Sequence, residues 1–118
     1  MIDNKRACFA LIAAAIINNR RYNSVFDYHA GKYRFIASSI NNEHYLSFFD
    51  YERGGYISGN TKNMYDYPTS SYVSLDKNGN KIRCFDYQTA TYSEFNVTNS
   101  TITVFDFQTS QYYNYSVQ

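Results

Sequence analysis

Tryptophan is absent from this chain, proline occurs once and cysteine twice. Two cysteines, Cys8 and Cys84, cannot build a disulfide framework, and they lack the spacing of metal ligands. Proline this scarce, in a chain low in charge, argues against disorder. No apolar run reaches the roughly 18 residues of a transmembrane helix, so no membrane span is expected. An excess of one charge is missing too: Lys and Arg number 11 against 10 Asp and Glu, a formal net charge of +1. That balance argues against nucleic acid as a partner, because phosphate binding needs clustered cations with few compensating anions. No phosphate loop, nucleophile elbow or metal signature occurs, so no catalytic residue, metal or cofactor is assigned. The chain is expected not to be an enzyme.

What is present is aromatic. Fourteen Tyr and nine Phe make up 19% of the 118 residues, and hydrophobic residues make up 44%. This suffices for one folded domain across residues 1–118. The first 21 residues differ from the rest. From Ala7 to Ile17 eleven positions pass without a polar residue, and Ala and Leu are strong helix formers. Asp3 is placed to cap the first turn or to complement its dipole, and Arg20 and Arg21 to complement the far end. A helix apolar on every side must be buried on every side. The rival reading is a secretory signal segment, with Lys5 and Arg6 ahead of a short apolar stretch. Asp3 weakens that reading. The structural helix goes with a cytoplasmic chain, the signal segment with a secreted one.

Residues 22–118 form a repeat: aromatic, Asp, aromatic, two residues, a small residue, one residue, Tyr. The five copies are Phe26-Asp27-Tyr28 with Tyr33, Phe49-Asp50-Tyr51 with Tyr56, Tyr65-Asp66-Tyr67 with Tyr72, Phe85-Asp86-Tyr87 with Tyr92, and Phe105-Asp106-Phe107 with Tyr112. The small residue is Gly31, Gly54, Ser70, Ala90 or Ser110, and two residues before each Asp stands Val25, Phe48, Met64, Cys84 or Val104. Copies begin 16 to 23 residues apart, the period of tandem architectures. Each unit reads as a β-hairpin. Its first strand alternates with a period of two, and its Asp ends that strand and accepts hydrogen bonds from the turn. Thr69, Thr89 and Thr109 can add a hydroxyl. Gly31 and Gly54 suit a left-handed turn position, whereas Ser70, Ala90 and Ser110 suit it less, so the turn type is expected to vary. Asn41-Asn42, Gly59-Asn60, Asn78-Gly79-Asn80 and Thr98-Asn99-Ser100 read as turns between units.

The expected fold is therefore mainly β: a buried N-terminal helix with a strongly curved antiparallel meander of about ten strands from five hairpins, closed or open. Ten strands lying flat would span about 45–50 Å, far wider than a helix of about 10–12 Å, so the sheet must curl or several chains must combine. A can with a central helix has precedent. The inner face is assigned to Val25, Leu46, Phe48, Ile57, Met64, Val73, Leu75, Ile82, Cys84, Phe95, Val97, Ile102, Val104, Tyr113, Tyr115 and Val117.

That assignment puts three aromatics of every repeat outside, near one end of the strands. Cross-strand ring pairs stabilise a sheet by about 0.2–1 kcal/mol each, yet monomers seldom expose contiguous apolar patches beyond a few hundred Å². The belt, with Tyr33, Tyr56, Tyr72, Tyr92 and Tyr112 as candidate binding residues, is the best functional clue. It points to a non-catalytic binding or self-assembly module, with a homo-oligomer or a protein partner. Two alternatives use the same belt: a carbohydrate- or small-ligand-binding module, and a small inhibitor that occludes a partner protein.

Asp27, Asp50, Asp66, Asp86 and Asp106 invite a calcium or acid–base reading. Copies two strands apart stand about 10 Å from one another, too far for a shared ion, and turn-closing is the assigned role. Asp86→Ala is then expected to cost about 1–2 kcal/mol. His29, in the first turn, and His44, at the next strand's start, have no Cys, Ser or carboxylate at motif spacing, so neither is read as catalytic. Cys84 stands at a core repeat position and Cys8 in the apolar helix; both read as reduced core residues. Asn96, Asn99 and Asn114 head sequons that matter only in a secreted eukaryotic chain. The hairpin resembles turns in propeller blades and in the Tyr-Asp repeats of large bacterial shell proteins, and its length resembles choline-binding repeats. A blade uses four strands where this unit has two, and choline cages rely on Trp. No functional residue is carried over.

Overall fold

The computed structural model describes residues 1–42 and 44–118, and the side chains of all of these but Asn41 and Asn42. Helix α1 spans Asp3–Asn18. Ten strands follow: β1 Ser24–Asp27, β2 Lys32–Asn42, β3 Tyr45–Asp50, β4 Gly55–Gly59, β5 Asn63–Asp66, β6 Ser71–Asn78, β7 Lys81–Asp86, β8 Thr91–Thr98, β9 Thr101–Asp106 and β10 Gln111–Val117. Each strand pairs antiparallel with the next, and β1 pairs with β10 through Val25–Val117, Phe26–Ser116 and Asp27–Tyr115, which closes the barrel. Closure leaves no exposed sheet edge.

Ten strands about 4.8 Å apart and tilted about 35–45° close to a radius of about 10 Å, which is roomy enough for a helix. Helix α1 occupies that interior. Lys5 through Ala15 are buried without a break, which explains why the run is apolar on all sides and rich in alanine. The inner-face residues assigned from alternation, Val25 through Val117, are all buried. The helix lies closest to β1, β2, β8, β9 and β10. Its first turn stands at the end carrying the five hairpin turns, and at the other end Asn18 Nδ2 donates to the Asn99 carbonyl at 2.8 Å. No helix among the described residues is long and apolar enough to cross a membrane.

Several local expectations need correction. Of the two roles expected of Asp3, capping does not hold, since Ile2 is the N-cap without a side-chain bond; Asp3 lies inside the first turn, where an acid complements the dipole, and pairs with Arg6. Arg20 and Arg21 lie beyond the helix, because Asn19 turns left-handed (φ 49°) and ends it first. Asn41 and Asn42 extend β2 rather than forming the turn, and the next position, 43, lies outside the described residues.

The hairpin turns vary in the third repeat, a 3-10 turn over Tyr67–Thr69 in which the Ser70 N–H donates to the Tyr67 carbonyl, where Gly31, Gly54 and Ser110 donate to the carbonyl of their Asp. The left-handed position itself does not vary. Gly31, Gly54, Ser70, Ala90 and Ser110 all have positive φ, between 51° and 69°. Three non-glycine residues thus accept a left-handed backbone, which costs about 1–2 kcal/mol for an L-residue, because the two flanking strands are fixed by the barrel. Gly59 is required for another reason. It stands in the shortest inter-repeat interval, where a Cβ would lie 2.1 Å from the Asn63 carbonyl oxygen.

Candidate functional site

The aromatic repeat becomes five clusters on the outside of the barrel. In each hairpin the first aromatic stands directly across from the Tyr, as in Phe26–Tyr33, Phe49–Tyr56, Tyr65–Tyr72, Phe85–Tyr92 and Phe105–Tyr112. The second aromatic folds back from the turn onto the first. The result is the same trio five times over, each ring pair edge-to-face. In the first cluster Phe26 lies 4.8 Å from Tyr28 and 4.7 Å from Tyr33, and in the last Phe105 lies 4.8 Å from both Phe107 and Tyr112. Edge-to-face geometry puts a positive ring edge on a negative face, so each trio holds its own shape. The outer two rings of every trio remain about half exposed, from 46% at Phe107 to 71% at Tyr112.

The belt is not uniform. Between the fourth and fifth clusters the Arg83 guanidinium lies 4.9 Å from the Tyr92 ring centre and 5.6 Å from that of Phe107, bridging the two trios. Beside the second cluster the neighbouring positions are small, and a shallow groove of about 320 Å³ opens there. Ala37, Ser39 and Ser47 line it together with Phe49, Tyr51 and Tyr56.

Inside the same end lies a feature the sequence reading missed. The alternation that turns the aromatics outward turns all five aspartates inward, and Asp27, Asp50, Asp66, Asp86 and Asp106 are buried. They meet buried cations. Lys5 Nζ bonds Asp86 at 2.7 Å and stands 3.8 Å from Asp66. Arg6 bonds Asp106 at 2.9 Å and stacks on Tyr113, 3.4 Å from the ring centre. Arg34 pairs with Asp27 at 3.0 Å, and Arg53 bridges Asp50 at 2.7 Å and Asp66 at 2.8 Å. The amino group of Met1 lies 3.5 Å from Asp106. The positive end of the α1 dipole faces the same ring of carboxylates.

The carboxylates also accept backbone bonds from their turns. Asp27 takes the N–H of His29 and Ala30, Asp50 those of Glu52 and Arg53, Asp86 that of Gln88, and Asp106 that of Gln108. In the third repeat the matching position is Pro68, which has no N–H to give. There Asp66 is held instead by the Arg53 guanidinium and the Thr69 hydroxyl. Neighbouring carboxylates nevertheless share cations of another kind: Asp66 and Asp86 converge on Lys5, and Asp50 and Asp66 on Arg53. The shared cations are side chains. Asp86→Ala would strand a buried ammonium, which raises its expected cost to about 3–5 kcal/mol.

These surroundings set the protonation states. Burial works against the charge on Arg53, but the Asp66 and Asp50 carboxylates outweigh it and its pKa stands above the ordinary arginine value. Arg6 and Arg34 are raised by the same contest, with Tyr115 and Asp27 respectively as the leading opponents of burial. Glu52, on the rim, is lowered because Lys32 and Arg34 outweigh its partial burial. Burial pushes the Cys8 and Cys84 thiols well up, with Asp50 and Asp86 adding to it, and raises Tyr115 against the pull of Arg6. Both cysteines are free and buried.

His29 packs edge-on against Tyr113, with ring centres 5.2 Å apart, and His44 lies in the turn before β3. Among the described residues no group of three or more His, Cys, Asp or Glu is placed to hold a metal. Comparison of the chain with protein-family models, with curated proteins and with solved structures finds no match.

Proposed function

We infer that the protein is a non-catalytic contact module whose outer aromatic clusters are its binding surface, with a protein surface or a second copy of the chain as partner. The observation that carries this is the half-exposure of the outer two rings in all five trios. Ring pairing contributes to the stability of each hairpin but leaves ten rings partly open to water around one end of the barrel. Rings already locked by edge-to-face contact lose little freedom on binding, which favours them as anchors.

Light scattering across a concentration range is the test, with the variant Tyr33→Ser/Tyr72→Ser/Tyr112→Ser beside the native chain. The self-assembly form of the reading expects a mass above the 13.8 kDa of one chain, falling to the monomer in the variant. A monomer at every concentration contradicts that form. A second reading, a carbohydrate-binding module, draws on the groove beside the second cluster, where hydroxyls of Ser39 and Ser47 adjoin the rings of Phe49, Tyr51 and Tyr56. Saturable shifts of those rings with neutral oligosaccharides support it, and unmoved rings remove it.

A further inference from the structure

The end of the barrel opposite the carboxylate ring is open. Helix α1 leans toward β1, β2 and β8–β10, and on the far side a cavity of about 930 Å³ opens to solvent beside its last turn. Ile16, Ile17, Ile40, Leu46 and Leu75 give it an apolar lining. Ile16, Ile17 and Ile40 are only partly buried and leave apolar surface at the cavity. A hollow of this volume that combines an apolar part with polar groups, here Asn19, Thr61, Lys62, Asp76 and Lys77, has the size of a small-molecule site.

The rim supplies the chemistry. Lys62 and Lys77 both line the cavity. Lys77, two residues after the buried Leu75, belongs to the inward register of β6, and Lys62 lies in the bend just ahead of β5. The two strands are joined there: the Leu75 N–H donates to the Lys62 carbonyl at 2.6 Å. Asp76, the rim's carboxylate, has the outward register and stands across from Arg83. Two lysines and one carboxylate, Asp76, thus line the hollow, which leaves its rim with one net positive charge. The carbonyl end of α1 faces the same mouth and repels an anion, so the anionic group belongs at the β5–β6 rim, with the apolar part against Ile16 and Ile17.

We propose that this cavity binds a single-chain amphiphile, with its aliphatic chain against Ile17, Ile40, Leu46 and Leu75 and its anionic head at Lys62 and Lys77. The proposal is independent of the aromatic belt, which lies at the other end of the barrel. Dodecanoate below its micellar concentration is the probe, followed by calorimetry and by chemical shifts, with dodecyltrimethylammonium as the charge-reversed control. The expected result is saturable one-site binding of dodecanoate, at least about ten-fold tighter than the cationic amphiphile, with shifts confined to the mouth. Lys62→Glu/Lys77→Glu should reverse the preference, and Ile17→Trp, which fills the cavity, should abolish binding of both probes. Each variant is checked for a native circular dichroism spectrum, and Tyr33→Ser/Tyr56→Ser should bind dodecanoate as the native chain does. Vesicles of phosphatidylglycerol separate a lipid headgroup in a bilayer from a free amphiphile. Absence of saturable dodecanoate binding, equal affinity for both charges, insensitivity to the mouth variants, or binding to vesicles alone would overturn the proposal.

Discussion

The two ends of the barrel solve opposite problems. At the hairpin end five buried carboxylates meet Lys5, Arg6, Arg34, Arg53 and the amino group of Met1, and the interior there is closed by charge. At the other end no such ring forms among the described residues; Ile16, Ile17, Ile40 and Leu75 line an open hollow, and the lysines stand exposed at its rim. One helix serves both, presenting cations in its first turns and isoleucines in its last. A buried ion cluster does not by itself add much stability, since desolvation opposes the attraction, but it strongly penalises any arrangement that leaves one member alone. The ionic end therefore fixes how the helix sits and the apolar end tolerates vacancy.

The largest expected difference between the ends is in the response to losing a lysine. Lys5→Met leaves Asp86 without its ammonium and should cost about 3–5 kcal/mol in urea unfolding. Lys77→Met, at the exposed rim, should stay within about 0.5 kcal/mol. Comparable losses at both positions would erase the distinction.

Alkali should sharpen it. Cys8, Cys84 and Tyr115 are all raised by burial. As pH climbs past their ordinary values of 9.0 and 10.0, the unfolded chain releases these protons first. The folded state then holds more protons, so stability falls with rising pH, by about 1.4 kcal/mol per unit for each group. Cys8→Ala/Cys84→Val should remove most of the slope between about pH 9 and 10. An unchanged slope in that variant would mean the thiols are not the buried groups responsible.

The smallest effects concern the turns, which obey one rule at both ends. Ala90, at the ionic end, has φ 56°, and Ala90→Gly should raise stability by about 1 kcal/mol. Gly79, at the open end, has φ 63°, and Gly79→Ala should lower it by a similar amount. Thermal unfolding resolves both. Absence of a gain at Ala90 would show that its left-handed backbone is unstrained.

Much of this architecture was legible because it is written in periods. The unbroken apolar run at 7–17 marked a helix without an exposed face, and the five Asp-centred copies marked hairpins whose alternation sorted inside from outside. The same alternation contained the ionic ring: each Asp stands two residues after an inward Val, Phe, Met, Cys or Val, so each had to be buried and each needed a cation. Lys5 and Arg6, in the first turns of the helix, were the available candidates, but next to an apolar run they also read as the charged start of a signal segment. Arg34 and Arg53 carried no repeat signal, because each answers a charge in only one or two hairpins. The left-handed Ser70, Ala90 and Ser110 were hidden for a different reason. Local preference argued against the conformation, and a closed ladder of strands imposed it.

The central claim is that α1 is the barrel's core and not a segment resting against it, and native-state hydrogen exchange tests this most directly. The amides of Ala7–Ala15 should exchange only with the global unfolding free energy, together with the β1–β10 pairs Val25–Val117 and Phe26–Ser116 that close the sheet. Helix amides that exchange at a markedly lower free energy than those strands would mean the helix leaves without opening the barrel, and would contradict the account.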